Sequence, residues 1–514
     1  MQKEAHKMKH RKLTELLNNI DYRLIAGDMN KEAEKICWDS RKADSGSLFI
    51  AVIGGGTDGH KYIESALKLG AVIVVCDKVQ NVITDDELKA LSDTYNATIV
   101  EIEDTRTGMA RIAANMYDHP EKKLSLFGIT GTKGKTTSAF MLHKILLLTG
   151  HKAGLMGTVC QMMGDKVTGS DHTTPEAPVT YEFLYQLAEG GYDSCVMEVS
   201  SLGLKLERNY GMIYKAGCFT NLYSDHIGGI EHPDMEDYFG SKLKIFDMCE
   251  TSVINMDSAR INDIIECDSK KGHRSIRYGI DNGVDLKAEN MRKDTLNGVN
   301  GTSFELVTAE KTITVFVPIP GRFNVYNALC ALGAAYAYGI DLEDAAKALV
   351  DVHVPGRLQP VKNKLGINIL VDYAHNGEAL SNVIETAKEF TEGQVITLFG
   401  CGGNRPPDRR TEMGKVAGEM SDYTIITSDN PRNEEPLAII DDILSSFTRT
   451  NGRYEVEPDR KAAIEKAIKI AKPGDTVLIA GKGHEDYQEI KGVKYPFDDF
   501  KTASEFVKTM EEGN

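Results

Sequence analysis

The sequence predicts an α/β protein of three domains, built around a parallel sheet that binds a mononucleotide. Three observations carry that prediction. The chain has 514 residues, enough for about three domains at roughly 100–200 residues each. Short apolar runs of β-type alternate with helical segments, the order that builds parallel sheets covered on both faces. One strand-to-helix junction carries the glycine-rich segment Gly128–Thr137, GITGTKGKTT.

Each third of the chain has its own pattern. In residues 1–120, the strand-like segments Ser47–Val52 and Ala71–Cys76 flank a helical pattern at Tyr62–Leu69, and a glycine turn, Gly54-Gly55-Gly56, follows the first strand. That β-α-β order marks an α/β domain. Residues 121–353 open with the apolar strand Leu124–Ile129, a glycine-rich turn and an amphipathic helix from about Thr136 to Leu148. Ser194–Val199 and Ala216–Thr220 are further buried-strand candidates. Between 285 and 318 the pattern changes: Thr302–Leu306 and Thr312–Val317 are β-rich about a polar turn, which predicts a hairpin. The breaker Val354-Pro355-Gly356 opens residues 354–514, where Ile367–Val371, Gln394–Leu398, Tyr423–Thr427 and Thr476–Ile479 are the strands of a second, Rossmann-like α/β domain.

Composition narrows the class. Hydrophobic residues make up 41% and charged residues 26%, so several cores are possible and disorder is not expected. A formal net charge of −16 argues against wrapping nucleic acid or binding an anionic membrane, which need a positive field. Met1–Lys12 is polar and basic with no apolar stretch behind it, and apolar runs such as Gly70–Cys76 are too short to span a bilayer. The nine cysteines form no CxxC pair, as for free thiols in a reducing cytoplasm. The expectation is a cytoplasmic monomer.

The segment Gly128–Thr137 reads as a phosphate loop. Its glycines let the backbone curl so that successive N–H groups meet one anion, and the following helix adds its positive end. Gly131, Thr132, Lys133, Gly134, Lys135, Thr136 and Thr137 then form the nucleotide cradle, with Lys135 set for the β- and γ-phosphates and Thr136 for Mg²⁺. The bland alternative is a Gly- and Thr-rich connection. The loop alone does not name a reaction, since switches, motors and kinases use similar residues.

Three downstream residues bear on it. Glu198 ends the strand Ser194–Val199, where ligands bind in open α/β sheets; a solvated strand end is the alternative. His226, in NLYSDH (Asn221–His226), follows the strand Ala216–Thr220; a structural histidine is the alternative. On pattern alone, Lys242 in YFGSKL is a surface helical lysine.

Taken in order, GTKGKTT, the strand end EVSS, NLYSDH, YFGSK, GRFNVYNAL (Gly321–Leu329), VPGRLQ (Val354–Gln359) and DYAH (Asp372–His375) resemble the motifs of the Mur ligases. These are ATP-dependent amide-forming enzymes of peptidoglycan precursor synthesis. The resemblance spans nearly the whole chain; folylpolyglutamate synthases share part of it. It implies a catalytic set of Lys135, Glu198, His226 and Lys242. Glu198 and His226 match Mg²⁺ ligands, and Lys242 matches a lysine that CO₂ converts to a metal-binding carbamate, which reverses the surface reading. Asn324 matches a residue near the adenine, and Arg357, Asp372 and His375 match nucleotide contacts from the third domain. The implied chemistry makes an acyl phosphate from a peptide carboxylate and ATP, which an amine then attacks.

Further segments resemble the branch that adds the third amino acid. DSRKADSGSLFIAVIGGGTDGHKYI (Asp39–Ile63) is similar to a uridine-binding first domain, with Ser40 and Arg41 at the uracil and diphosphate. Thr173 and Thr174, in TTPE, resemble contacts to UDP-N-acetylmuramoyl-L-alanyl-D-glutamate, with Ser200, Ser201 and Arg208 on its peptide carboxylates. Two positions depart from the pattern: Leu202 and Leu206 stand where the family usually has His and Gln. SDNPRNEEP (Ser428–Pro436) resembles the motif of enzymes that add meso-diaminopimelate. That resemblance assigns Asp429, Asn430 and Arg432 to the amino acid, together with Arg405, Gly481 and Glu485. The physics agrees for Arg432: a guanidinium pairs bidentately with the extra carboxylate of diaminopimelate and repels lysine. The alternatives are the same ligase with lysine, a folylpolyglutamate synthase, and a non-catalytic nucleotide-dependent scaffold.

Overall fold

The computed structural model describes residues 10–54, 56–78, 81–170, 172–224, 227–228, 231–282, 284–296 and 299–512. It forms two compact units, one of residues 1–287 with 329–345, the other of 288–328 with 346–514.

Among the described residues the first unit holds two large sheets, besides the short pair Arg11–Lys12 and Glu32–Ala33. The five-stranded sheet runs in the order Tyr22–Ala26, Thr98–Ile102, Ile73–Asp77, Ser47–Ile50, Lys35–Cys37. All its neighbours are parallel except the edge strand Tyr22–Ala26. Its helices start where sequence chemistry directs: Thr84 and Glu87 make a capping box for Asp85–Tyr95, and the Asp104 carboxylate caps Thr105–Met116.

In the second sheet the phosphate-loop strand, Ser125–Thr130, is central. It lies parallel between Ser194–Glu198 and Tyr214–Phe219, with Ile129 opposite Glu198 and Thr130 opposite Phe219. The carboxyl ends of all three strands therefore open at one level, and every residue of Ser194–Glu198 is buried, as a strand covered on both faces should be. Thr251–Asn255 and Arg274–Gly279 extend the sheet in parallel. The strands expected in this unit are observed within two residues at each end.

In the second unit, Val299–Val307 and Thr312–Val317 pair antiparallel as the expected hairpin. The main sheet runs Gln359–Pro360, Asn368–Asp372, Thr476–Ala480, Val395–Phe399, Tyr423–Ile426, Tyr454–Val456 and is parallel except for its short first strand. Gly356 is more than a breaker. Its φ is +64°, and a Cβ there would lie 2.4 Å from the His484 backbone nitrogen. Only glycine lets these two segments approach so closely.

No residue of the sequence analysis anticipated Arg460. Its guanidinium and the Asp499 carboxylate form a bidentate pair at 2.8 and 2.7 Å, with both side chains fully buried. Arg460 also donates to the carbonyls of Ser428 at 3.2 Å and Ala480 at 3.0 Å. The pair thus ties together the segments that follow two strands of the sheet, the ones that carry Asp429 and Gly481. Removing one partner of a buried pair leaves an uncompensated charge. Asp499→Asn is expected to lower stability by about 3–5 kcal/mol, read as a shifted urea midpoint with little change in slope.

Candidate active site

The phosphate loop is held from below by the motif that follows the neighbouring strand. Thr132 and Lys133 donate their backbone N–H groups to the Asn221 backbone and side-chain oxygens at 3.0 and 2.8 Å. Asn221 Nδ2 and Thr220 Oγ1 in turn donate to the Lys133 carbonyl. Asn221 was not among the expected site residues, although NLYSDH pointed to its segment. Two loop amides are therefore spent on anchoring, and the anion is left to the turn at Gly134 (φ +85°) and the first helical turn, Lys135–Thr137. Gly131 has φ +139°, and a Cβ there would lie 2.0 Å from Thr220 Oγ1, so no larger residue fits.

Two lysines converge on one oxygen. Lys135 Nζ donates to the Gly131 carbonyl at 2.9 Å and the Thr132 carbonyl at 3.0 Å. Lys242 Nζ donates to the same Gly131 carbonyl at 2.9 Å. The surface reading of Lys242 is wrong: the residue is 1% exposed and its ammonium lies 4.4 Å from the Tyr238 ring centroid. Tyr238 is itself fixed by a hydrogen bond from its hydroxyl to Thr132 Oγ1 at 3.0 Å.

Glu198 joins the same end of the sheet. Its carboxylate accepts from Thr136 Oγ1 at 2.9 Å, the Thr158 N–H at 2.9 Å and Thr158 Oγ1 at 3.0 Å, and it is 2% exposed. Thr136 and Glu198, expected on separate grounds, thus touch. His226 lies outside the described residues. Among the described residues no cluster of three or more His, Cys, Asp or Glu side chains is arranged to hold a metal.

A polar turn lies alongside. Thr174 Oγ1 donates to the Glu198 carbonyl and accepts from the Ser200 N–H, both at 2.9 Å, and Thr173 Oγ1 is 3.0 Å from Thr158 Oγ1. Ser200 caps the helix Ser201–Lys205 through its hydroxyl. Arg208 does not present an open fork: it donates to the Thr174 carbonyl at 2.8 Å and pairs with Glu176 at 2.8 Å. Arg106 meets the same carboxylate at 3.2 Å. Ser40 is buried in the short turn Ser40–Lys42, while Arg41 is exposed and folded onto Asp39 at 2.8–2.9 Å.

The second unit gathers two groups of the expected residues. In the first, the buried Asp372 carboxylate accepts from the Leu358 and Ala374 N–H groups at 2.8 Å, and burial raises its pKa. The Arg357 guanidinium lies 5.2 Å from the Tyr373 ring centroid, and His375 and His484 pack on the same ring at 4.7 and 4.8 Å. His375 Nδ1 lies 2.8 Å from the Tyr373 carbonyl. Asn324 is spent locally: its amide donates to the Pro320 carbonyl and accepts from Asn327, and it is 1% exposed. It braces the turn before the helix Arg322–Tyr338.

In the second group Asn430 is the hub. Its Nδ2 donates to Glu485 at 2.7 Å, and its Oδ1 accepts from Lys482 Nζ at 3.1 Å and the Glu489 N–H at 2.9 Å. Lys482, absent from the expected set, is fully buried and pairs with Glu485 at 2.9 Å. Asp429 backs Gly481, where a Cβ would meet its carboxylate at 2.8 Å. Arg432, at φ +52°, donates to the Gly403 carbonyl at 2.7 Å and lies 3.5 Å from Glu489. Arg405 is exposed.

A phosphate loop at the carboxyl end of a parallel sheet, with two lysines meeting on its Gly131 carbonyl, defines a P-loop α/β enzyme. Comparison with known proteins narrows the class. Residues 32–117 match the model described as Mur ligase family, catalytic domain; residues 129–335 match the Mur ligase middle domain; residues 356–483 match the Mur ligase, glutamate ligase domain. The chain is 41% identical over 498 residues to the UDP-N-acetylmuramoyl-L-alanyl-D-glutamate–2,6-diaminopimelate ligase of Clostridium botulinum, covering 96% of this chain and 99% of that protein. It is 40% identical over 501 residues to the protein of the same name from Clostridioides difficile, covering 97% and 100%. A solved structure of a ligase of that name superposes with a TM-score of 0.68 at 28% identity, over 98% of this chain and 100% of that one. The chain belongs to the Mur ligase family. No helix among the described residues is long and apolar enough to cross a membrane, and all nine cysteines are free.

His484 generates a pH prediction. Burial, aided by the nearby Arg357, pushes its pKa down to about 4 from an ordinary 6.5. Below pH 6.5 the unfolded chain takes a proton that the folded chain refuses until about pH 4. Stability therefore falls over that window, by up to about 3 kcal/mol from this group. His484→Gln is expected to lose less stability than the parent between pH 7 and pH 4 in urea titrations at each pH.

Proposed function

We propose that the chain is an ATP-dependent ligase that joins meso-diaminopimelate to UDP-N-acetylmuramoyl-L-alanyl-D-glutamate through an acyl phosphate, acting in the cytoplasm in peptidoglycan precursor synthesis. The observation that carries this reading is the convergence of Lys135 and Lys242 on the Gly131 carbonyl, beside the Thr136–Glu198 hydrogen bond. Two cations at one point suit a polyphosphate and a carboxylate that would otherwise repel each other. The relatives' names supply the acceptor and the amine.

In this reading residues 1–120 bind the UDP moiety through Ser40 and Arg41. Residues 121–353 bind ATP and the dipeptide, and residues 354–514 bind the amino acid. Lys135 and the amides of Lys135–Thr137 hold the β- and γ-phosphates. Thr173, Thr174, Ser200 and the backbone at Ser201 hold the acceptor, with Arg208 setting the turn through Glu176 and Thr174. Arg357, Asp372 and His375 meet the nucleotide from the third domain; Asn324 serves the adenine only by bracing its turn. Thr136 and Glu198 supply the oxygen donors a hard divalent cation takes; with His226 and a Lys242 carbamate they would hold Mg²⁺, which would neutralise phosphate charge. A Lys242 carbamate keeps an N–H for the Gly131 carbonyl, so the modification fits the observed contact. The acceptor carboxylate attacks the γ-phosphate, ADP leaves, and the amine displaces phosphate from the acyl carbon.

For the amine, Arg432, Asp429, Asn430, Gly481, Glu485 and Arg405 form the site. The guanidinium of Arg432 gives up the Gly403 carbonyl for the extra carboxylate of diaminopimelate. Lysine has no carboxylate at its far end to offer Arg432.

Two outcomes test this reading. Lys242→Ala is expected to abolish ligation, with partial rescue by added formate or acetate; full activity without rescue excludes the carbamate. In competition between diaminopimelate and lysine, Arg432→Ala is expected to lose about 10–100-fold of the preference, the worth of one charge-assisted bidentate contact. A parent protein that prefers lysine contradicts the amine assignment.

A further inference from the structure

One hydrogen-bonded chain in the first unit meets this reading only at Ser201, and its other members have no role in it. Ser201 Oγ lies 3.0 Å from His232 Nε2, and His232 Nδ1 lies 2.6 Å from Asp237 Oδ2. The imidazole is fully buried. Lys205 donates to the same Asp237 oxygen at 2.7 Å and to the Glu231 carbonyl at 3.1 Å. That bond from Lys205, with the one from His232, holds the Asp237 carboxyl below its ordinary pKa, so it is a carboxylate.

A carboxylate at Nδ1 fixes the tautomer. In the neutral ring Nδ1 carries the proton and donates to Asp237, which leaves Nε2 as an acceptor. Ser201 must then donate its hydroxyl proton to His232, and its oxygen lone pairs face away from the ring. A hydroxyl held in this way accepts protons; it does not donate to a carboxylate. The arrangement is that of a serine, histidine and aspartate acting in sequence. The imidazole also packs edge-on against Tyr238, at 5.2 Å between centroids, and the Tyr238 hydroxyl donates to Thr132 of the phosphate loop. The relay is thereby braced against the loop that would activate the acceptor.

We propose that Ser201, His232 and Asp237 form the proton relay that relieves the attacking amine of its proton. The inference rests on the reading that the acceptor carboxyl is held at the Ser200–Ser201 turn. The ammonium first loses one proton to water. The amine nitrogen then bonds to the acyl carbon, and the carbon–oxygen bond to phosphate breaks, its electron pair leaving with phosphate. The remaining surplus N–H proton passes to Ser201 Oγ while the Ser201 hydroxyl proton passes to His232 Nε2. Asp237 stabilises the imidazolium. After product leaves, the proton returns through Ser201 to water. His232 and Asp237 act through Ser201 and are positioning residues.

The test compares two nucleophiles. Hydroxylamine is neutral near pH 7 and attacks acyl phosphates without a base, so hydroxamate formation reports activation alone. The full-length protein with Mg²⁺, ATP and the UDP-dipeptide is given either diaminopimelate or hydroxylamine, and the amide-to-hydroxamate ratio is measured. In His232→Gln this ratio is expected to fall about a hundredfold, the usual worth of general-base help, and in Ser201→Ala by a similar factor. Asp237→Asn should lower it less. A ratio equal to the parent's in both His232→Gln and Ser201→Ala, even with both products reduced, overturns the relay. If His232→Gln does not fold, Ser201→Ala decides alone. A parent protein that forms neither product overturns the ligase reading itself, and the relay with it.

Discussion

The carbonyl oxygen of Gly131 accepts hydrogen bonds from two lysines at once, and much of the first unit follows from that constraint. Two ammonium groups on one oxygen repel each other, and the repulsion is large where water is excluded. The protein sustains it by fixing everything around the oxygen. Gly131 takes a backbone conformation closed to other residues, Asn221 ties the loop to the next strand, and Tyr238 supports Lys242 with its ring. In the proposed reading a phosphate chain meets both ammonium groups, and carbamylation would convert one of them to an anion.

In the proposed reading the second unit presents charge to a small zwitterion. The Arg460–Asp499 pair is sealed in the core and fixes the backbone under Asp429 and Gly481. On that base Asn430 organises Glu485, Lys482 and the Glu489 amide with one side chain. Preorganisation of this kind lowers the ordering cost of binding. It also makes the pocket's charges interdependent: whatever occupies Glu485 must contend with Lys482, which already sits there.

The fold was largely legible because buried parallel strands are written as short apolar runs, and runs such as Ser194–Val199 and Thr476–Ile479 have no other good reading. The meeting of Thr136 with Glu198 was legible for a related reason: both sit at carboxyl ends of strands, and a parallel sheet puts those ends on one edge. What escaped was chemistry between residues distant in sequence. Nothing in the helical pattern around Lys242 shows that its ammonium turns inward to Gly131; only the family resemblance did. Arg208 and Arg432 read as open guanidinium forks, yet each already holds a protein carbonyl and lies against a carboxylate. His232 carries no motif-level signal at all. It matters through Ser201 and Asp237, one 31 positions away and the other 5.

The account stands on the transfer of the γ-phosphate to a carboxylate oxygen, and an isotope tracks that step directly. UDP-dipeptide carrying ¹⁸O in both glutamyl carboxylates is turned over with ATP, Mg²⁺ and diaminopimelate, and the inorganic phosphate is analysed by mass spectrometry. The account predicts that one ¹⁸O from the carboxylate appears in each phosphate released. Phosphate that carries no ¹⁸O, with amide still formed, contradicts it.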